Sequence, residues 1–203
     1  MTFDIFGTVV DWRRGLGESL GMPISDETFD RIVDSQGELE RGPFLPYREI
    51  VARSLVGTLQ VDRLRASRVG EHAGRWPLFP DSGEALSRLL RKAPCVATTN
   101  GDRIHGEQVQ AQLGFRLNAW LCAEELGVYK PSPDVWRIAS ERLGIRPSPA
   151  WWHVSAYADY DLEPARRLGL TCVFVERPHR RPGPADLRVA TLGDLARVVE
   201  EMP

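Results

Sequence analysis

From residue 79 onward, short apolar runs alternate with segments whose apolar residues recur at helical spacing. This alternation, with short connections, predicts an α/β fold with a doubly wound parallel sheet covered by helices on both faces. The predicted strands are residues 94–98, 120–123, 151–155, 172–175 and 187–189. The predicted helices are residues 103–113, 133–143, 163–168 and 192–200. Thr191 and Asp194 form a capping box for the last of these helices.

The segment after the first strand has a different pattern. Its apolar residues, such as Phe29, Ile32 and Val33, recur at helical spacing, and almost no run resembles a strand. This pattern predicts a small α-helical cap inserted straight after the first strand. We predict two domains, which are a core of residues 1–12 and 79–203 and a helical cap of residues 13–78.

The first strand itself is unusually short. Only Met1, Thr2 and Phe3 precede Asp4, whereas a strand usually has about five residues. We expect either a start that lies upstream of this sequence or a sheet that is shortened at its centre.

Composition and charge narrow the classes of function. The 203 residues carry a net charge of −2, which gives no general attraction to nucleic acid or to anionic membranes. No apolar run approaches the roughly 18 residues of a membrane span, and the start of the chain lacks a signal pattern, so we expect a cytoplasmic protein. Cys95, Cys122 and Cys172 lie in apolar runs without a CxxC pair, which predicts three buried reduced thiols.

Polar side chains that can carry chemistry follow successive predicted strands. Asp4 ends the first strand, and Thr99 and Asn100 follow the second. Lys130 and Asp161 lie in later loops. Because the carboxyl ends of parallel strands meet at one edge of the sheet, we expect these groups to converge there. Singly, they have simpler explanations as turn formers, a surface charge or a helix cap, but their joint placement favours function.

Four motifs in this order resemble the haloacid dehalogenase superfamily, and more narrowly its 2-haloacid dehalogenase (type II) branch. The motifs are FDIFGT at 3–8, TTNG at 98–101, YKPSP at 129–133 and the acidic loop at 155–161. The resemblance covers nearly all of the predicted core, whereas the cap matches in position and length. It implies a Rossmann-like core and a hydrolase that uses an aspartate nucleophile.

The resemblance implies a catalytic role for four residues. Asp4 corresponds to the nucleophile, and Thr8 to the hydroxyl beside it. Lys130 corresponds to the lysine that holds the nucleophile, and it is expected to lower the pKa of Asp4. Asp161 corresponds to the acid of the fourth motif, which would assist the attack of water, with Asp159 as a near competitor.

Substrate-binding roles are implied for five further residues. Thr99, Asn100 and Ser155 match polar positions of the second and fourth motifs. Phe6 matches an aromatic of the dehalogenase branch and, together with Trp12 and Phe44, is expected to form an apolar wall. A cap arginine that faces the leaving halide would be Arg41 or Arg31, and the alignment leaves this choice open.

Departures from the superfamily's phosphatases are equally informative. Those enzymes carry a second Asp two residues after the nucleophile, as general acid and as part of the magnesium site, and Phe6 stands there in this chain. We therefore expect no metal and no cofactor; Mg²⁺ enters only under the phosphatase alternative. Trp136 stands where dehalogenases often have Tyr, and Tyr157 replaces an Asn that assists the water step. The four histidines are scattered without metal-ligand spacing.

The expected reaction is hydrolytic dehalogenation of a short 2-haloacid through an aspartyl-ester intermediate. The alternatives are a catalytically idle binding protein of the same superfamily and a magnesium-dependent small-molecule phosphatase. The expected partner is a small halogenated or related carboxylic acid, with no nucleic acid and no membrane. Homodimers are usual among the enzymes that the sequence resembles.

Overall fold

The computed structural model describes residues 1–202, and its centre is a six-stranded parallel sheet. The strands are β1 (Thr2–Phe3), β2 (Val96–Thr99), β3 (Ala119–Cys122), β4 (Trp152–Ser155), β5 (Thr171–Val175) and β6 (Leu187–Val189). Their order is β3-β2-β1-β4-β5-β6. The chain therefore winds outward in both directions from β1, which confirms the predicted doubly wound α/β fold.

Within residues 1–202, ten α-helices cover the sheet and form the region between β1 and β2. The first five are α1 (Trp12–Leu20), α2 (Asp26–Glu40), α3 (Tyr47–Leu59), α4 (Arg63–Glu71) and α5 (Ser82–Leu90). The others are α6 (Arg103–Leu113), α7 (Ala123–Leu126), α8 (Asp134–Leu143), α9 (Glu163–Arg167) and α10 (Leu192–Glu201). A 3₁₀ turn (Ala73–Arg75) and a π-helical turn (Ala158–Leu162) complete the set.

The short strand β1 holds the centre of the sheet. Thr2 is in register with Val96 of β2 on one side and with His153 of β4 on the other. The backbone N–H of Asp4 continues this pairing by donating to the carbonyl of Val154 at 2.9 Å. Asp4 is therefore held by backbone hydrogen bonding where the two halves of the sheet diverge, which is the usual position of a ligand site in such sheets.

The observed elements lie close to the predicted strands and helices, but two helices and one turn were not predicted. Helices α5 and α7 and the π-helical turn have no counterpart in the sequence analysis, whereas α1 to α4 fall almost entirely within the predicted helical segment 13–78. Helix α1 contains Gly15 and Gly17, which weaken a helical pattern, and α7 has only four residues. These elements form because tertiary packing stabilises them.

The helices α1 to α4 join the rest of the chain through two adjacent connections. Asp11 N–H donates to the carbonyl of Pro77 at 2.7 Å, and Phe79 N–H donates to that of Val9 at 3.0 Å. One hydrophobic cluster runs from the sheet into these helices, while a second covers the opposite face of the sheet around Trp136. The division into a core and a cap stays a prediction, and these connections lie near its proposed boundaries.

Two further expectations concern membrane spans and cysteines. Among residues 1–202, no helix combines the length and the apolar character that a membrane crossing requires. Cys95, Cys122 and Cys172 are all buried and free, as predicted.

Candidate active site

A buried lysine lies between two carboxylates at the carboxyl edge of the sheet. The ammonium of Lys130 is 2.8 Å from Oδ1 of Asp4 and 2.9 Å from Oδ2 of Asp161. It also donates to the carbonyl of Thr98 at 3.0 Å, so all three of its protons have acceptors. All three charged side chains are buried. A buried charge is tolerated when it is paired and hydrogen-bonded, and this Asp–Lys–Asp network meets that condition.

The second oxygen of Asp4 is held by the loop that follows it. Thr8 donates its hydroxyl to Oδ2 of Asp4 at 2.6 Å and accepts a hydrogen bond from the N–H of Ala156 at 3.0 Å. The loop turns at Gly7, whose φ of +92° favours glycine. A Cβ at Gly7 would also lie 2.3 Å from the ring of Tyr157, so the loop permits no side chain there.

A chain of hydrogen bonds orients Asp161 from behind, and the sequence analysis missed it. Nε2 of His153 is 2.7 Å from Oδ1 of Asp161, and Nδ1 is 3.0 Å from the hydroxyl of Thr2. That hydroxyl accepts from the indole N–H of Trp151 at 2.9 Å. If His153 donates from Nε2, Nδ1 accepts from Thr2, and every group in the chain has a partner. The signal available in the sequence was His153 itself, a polar residue between two apolar residues of its strand.

Burial and pairing act in opposite directions on the titration of these groups. Lys130 lowers the pKa of Asp4, as expected, but burial and the nearby Asp161 outweigh it, so the net direction of the pKa is upward. Burial would also raise the pKa of Asp161, but Lys130 and His153 outweigh it and lower the pKa to about 2. For Lys130, the two carboxylates outweigh burial and raise the pKa. The ammonium of Lys130 is thus paired with both carboxylates.

A cavity of about 390 Å³ lies above Asp4, between α2 and the edge of the sheet. We call it the inner cavity. From the core it is lined by Asp4, Phe6, Thr99, Asn100, Pro131, Asp159, Tyr160 and Arg181. From the helical region it is lined by Trp12, Val33, Asp34, Gln36, Gly37, Glu38, Glu40, Arg41 and Tyr47. The nucleophile candidate therefore faces a site-sized space with apolar, acidic and basic walls.

Phe6 packs into an aromatic group at the base of this cavity. Its ring centroid is 5.4 Å from that of Tyr47, 5.8 Å from Trp76 and 6.0 Å from His105. A Cβ at Gly101 would lie 2.9 Å from the Phe6 ring, so the glycine of the second motif makes room for this aromatic side chain. Phe6 supplies an apolar surface beside Asp4 and no proton donor.

Thr99 and Asn100 both line the inner cavity, but Asn100 is already engaged. Its side chain accepts from the N–H of Lys130 at 2.8 Å and donates to the carbonyl of Lys130 at 3.1 Å. Asn100 therefore fixes the loop that carries the lysine. The hydroxyl oxygen of Thr99 accepts from the N–H of Gly101 at 3.1 Å, which leaves its own proton for a ligand.

The structure does not bring every predicted site residue to the cavity. Ser155 is buried, and its hydroxyl oxygen accepts from the N–H of Tyr157 at 3.0 Å. Phe44 is 41% exposed and lines an adjoining cavity instead, so its expected place in the wall above Asp4 is wrong. Of the two candidate arginines, Arg41 lines the inner cavity, whereas Arg31 is exposed and does not.

The fourth motif separates its two acids. Asp161 is buried and does not line the inner cavity, while Asp159 is exposed and does. The π-helical turn Ala158–Leu162 contains both residues and directs them to different sides. The expected assistance of water by Asp161 therefore lacks access to the cavity in this arrangement, and the competitor Asp159 has it.

The surroundings of Asp4 lack one ligand position that the resemblance gives to the superfamily's phosphatases. Each oxygen of Asp4 and of Asp161 accepts a hydrogen bond from a protein donor. Phe6 offers no further side-chain oxygen. Within residues 1–202, no group of three or more His, Cys, Asp or Glu side chains is arranged to hold a metal ion.

Comparison with known proteins agrees with this fold. A family model described as haloacid dehalogenase-like hydrolase matches residues 1–152. The chain therefore belongs to the haloacid dehalogenase-like hydrolases.

The curated relatives have different activities. A phosphoserine phosphatase from Thermus thermophilus is 31% identical over 163 residues, which are 75% of this chain and 64% of the relative. An (S)-2-haloacid dehalogenase 4A from Burkholderia cepacia is 30% identical over 107 residues, 51% of this chain and 46% of the relative. The matched parts thus span less than two thirds of either relative, and the comparison leaves the substrate open.

Solved structures of dehalogenases are similar over almost the whole chain. The L-2-haloacid dehalogenase PA0810 superposes with a TM-score of 0.81 at 26% identity, covering 98% of this chain and 97% of the other. The L-2-haloacid dehalogenase from Xanthobacter autotrophicus superposes with a TM-score of 0.84 at 20% identity, covering 100% and 98%. At that lower identity, the second similarity shows the fold alone.

Proposed function

We propose that this hydrolase cleaves the carbon–halogen bond of a short 2-haloacid, with Asp4 as the nucleophile and an aspartyl ester as the intermediate. The observation that carries the proposal is the occupation of both site carboxylates by Lys130, next to Phe6. A phosphatase of this superfamily needs a metal and a second acid at that place. A carboxylate that attacks carbon needs neither, because the leaving halide requires no proton and the substrate carries only one negative charge.

In the first step, an Asp4 oxygen attacks the α-carbon and the halide leaves with the bonding electrons. Asp4 is desolvated, which makes it a stronger nucleophile, and Lys130 and Thr8 hold it in one orientation. Phe6 and Trp12 restrict water at this face of the cavity.

In the second step, water attacks the carbonyl carbon of the Asp4 ester and releases the hydroxy acid. Among residues 1–202, the N–H groups of Ile5 and Phe6 have no protein acceptor, although the next four N–H groups along the loop do. These two N–H groups are next to Asp4 and are suited to stabilise the oxyanion, a contribution of about 3 kcal/mol per donor. Asp159 is the carboxylate on the cavity wall that is suited to accept a proton from the water.

Halide release from a panel of haloacetates and 2-halopropionates tests this proposal. We expect release from at least one haloacid, unchanged by EDTA, because the site has no use for a metal. A single turnover in oxygen-18 water should place the label in Asp4 rather than in the product. The absence of halide release across the panel, or label in the first-turnover product, would contradict the proposal.

Phosphatase activity is the second candidate, because the Thermus thermophilus relative is a phosphoserine phosphatase. The same preparations should be assayed with an aryl phosphate and with phosphoserine, each with and without Mg²⁺. Magnesium-dependent phosphate release without halide release would favour this candidate. Inactivity in both assays would favour a binding protein.

A further inference from the structure

Glu40 occupies a position that the proposed reaction does not use. It is the last residue of α2 and lines the inner cavity together with Asp4 and Thr99. It also lines a second cavity of about 370 Å³, which we call the outer cavity, walled by Phe44 and Tyr129. Glu40 therefore lies at the junction of the two spaces.

The charges around the inner cavity make an ionised Glu40 unfavourable for an anionic ligand. Arg181 is already paired with Asp34, Asp30 and Asp159. Lys130 is paired with Asp4 and Asp161. Within residues 1–202, Arg41 is the cavity-lining cation that forms no salt bridge. One unpaired guanidinium can compensate the charge of a substrate carboxylate, but not that of an ionised Glu40 as well.

We propose that Glu40 is a specificity-determining residue that, as a neutral acid, donates a hydrogen bond to the substrate carboxylate and, as a carboxylate, repels it. The identity of that anionic group rests on the proposed function. The site would thus take carboxylic acids with one negative charge and would lose them as Glu40 ionises.

The surroundings of Glu40 support a neutral form near pH 7. Burial raises the pKa of Glu40 to about 8, and Asn100 and Lys130 only partly oppose this. The charged and titratable groups of the surrounding elements are Arg41, Asp34 and Glu38 of the helical segment, Asp4, Lys130, Asp159 and Arg181 of the core, and the phenols of Tyr47, Tyr129 and Tyr160. The pKa values of the three phenols are raised by burial, so they stay neutral as Glu40 titrates.

Binding of propionate, an unreactive carboxylate, tests the proposal without requiring turnover. The Kd would be measured by NMR titration from about pH 6 to about pH 10, a range in which propionate remains ionised. In the unmodified protein, we expect the Kd to rise at least about tenfold as Glu40 ionises. In Glu40→Gln, the Kd should stay near its low-pH value throughout. Glu38→Gln, which changes a neighbouring exposed acid, should retain the pH dependence of the unmodified protein.

The outcomes separate this proposal from the proposed function. A flat profile in the unmodified protein, an unchanged profile in Glu40→Gln, or no propionate binding at any pH would overturn the role of Glu40. Glu40→Ala serves as a second variant if Glu40→Gln does not fold, and its profile should also be flat. Halide release is measured separately. If halide release is absent but propionate binding depends on pH, the dehalogenase proposal would be rejected. Glu40 would then still be a specificity-determining residue for anionic ligands.

Discussion

At the scale of single residues, the site depends on the position of one ammonium group. Lys130 reaches Asp4, Asp161 and the carbonyl of Thr98 from a loop that Asn100 holds by two hydrogen bonds. The three charged side chains of this network are buried, so their pairing is screened weakly and its loss is not repaired by solvent. The lysine therefore supports both the charge of Asp4, the proposed nucleophile, and the packing around it.

We predict that Lys130→Met abolishes turnover and destabilises the fold by about 3–5 kcal/mol, because two buried carboxylates lose their shared counter-charge. Methionine preserves most of the buried volume, so the loss would come mainly from charge. Halide release and urea unfolding would measure the two effects. Lys92→Met is the matched control, since Lys92 is exposed and should tolerate the change. Full activity in Lys130→Met would exclude the assigned role.

The sequence predicted those residues that belong to contiguous motifs at strand ends. Asp4, Thr99 and Lys130 could be placed because parallel strands bring their carboxyl ends to one edge, whatever the details of packing. His153 and Glu40 could not be identified in this way. In the sequence, Glu40 resembles any surface acid at the end of a helix. Only the packing of α2 brings it to the cavity that Asp4 also lines. The role of His153 becomes visible only through its hydrogen bond to Thr2 on a neighbouring strand.

At the scale of elements, the π-helical turn Ala158–Leu162 explains an ambiguity that spacing alone left open. A π-helical turn accommodates one residue more than an α-turn and often occurs at a functional site. Here it places Asp161 against Lys130 and His153 and leaves Asp159 on the cavity wall. Sequence could predict an acidic loop after β4, but not which acid faces inward, because that depends on the turn geometry.

We predict that Asp159→Asn and Asp161→Asn fail at different steps. Asp159→Asn should fold normally and form the aspartyl ester, but hydrolyse it about 10²–10⁴-fold more slowly, so that the ester accumulates. Asp161→Asn should lower stability and turnover together, because it removes a charge from the Lys130 network. Intact-protein mass spectrometry after mixing with substrate detects the ester. Rapid turnover of Asp159→Asn without accumulated ester would refute the assignment of the base.

At the scale of the whole molecule, the helical segment that covers the cavity is attached to the sheet in two unequal ways. On one side, the buried carboxylate of Asp102 accepts from the N–H groups of Tyr47 and Arg48 at 2.7 Å and 3.0 Å, which caps α3 from the core. On the other side, Arg181 pairs with Asp30 and Asp34 of α2, whose side chains are 48% and 64% exposed. The first attachment is buried and charge-assisted, whereas the second is open to solvent and salt.

This asymmetry predicts that the cavity opens on the Arg181 side while the Asp102 side acts as the fixed edge. Arg181→Met should change the free energy of unfolding by no more than about 1 kcal/mol, because its ion pairs are partly exposed. It should nevertheless raise KM and accelerate hydrogen exchange in α2 without affecting β2, since local opening costs less once the bridge is lost. High salt should reproduce part of the effect in the unmodified protein. Arg197→Met, which removes an exposed pair with Asp194 on α10, is the control. Equal exchange in α2 of both variants would show that Arg181 does not hold the helical segment closed.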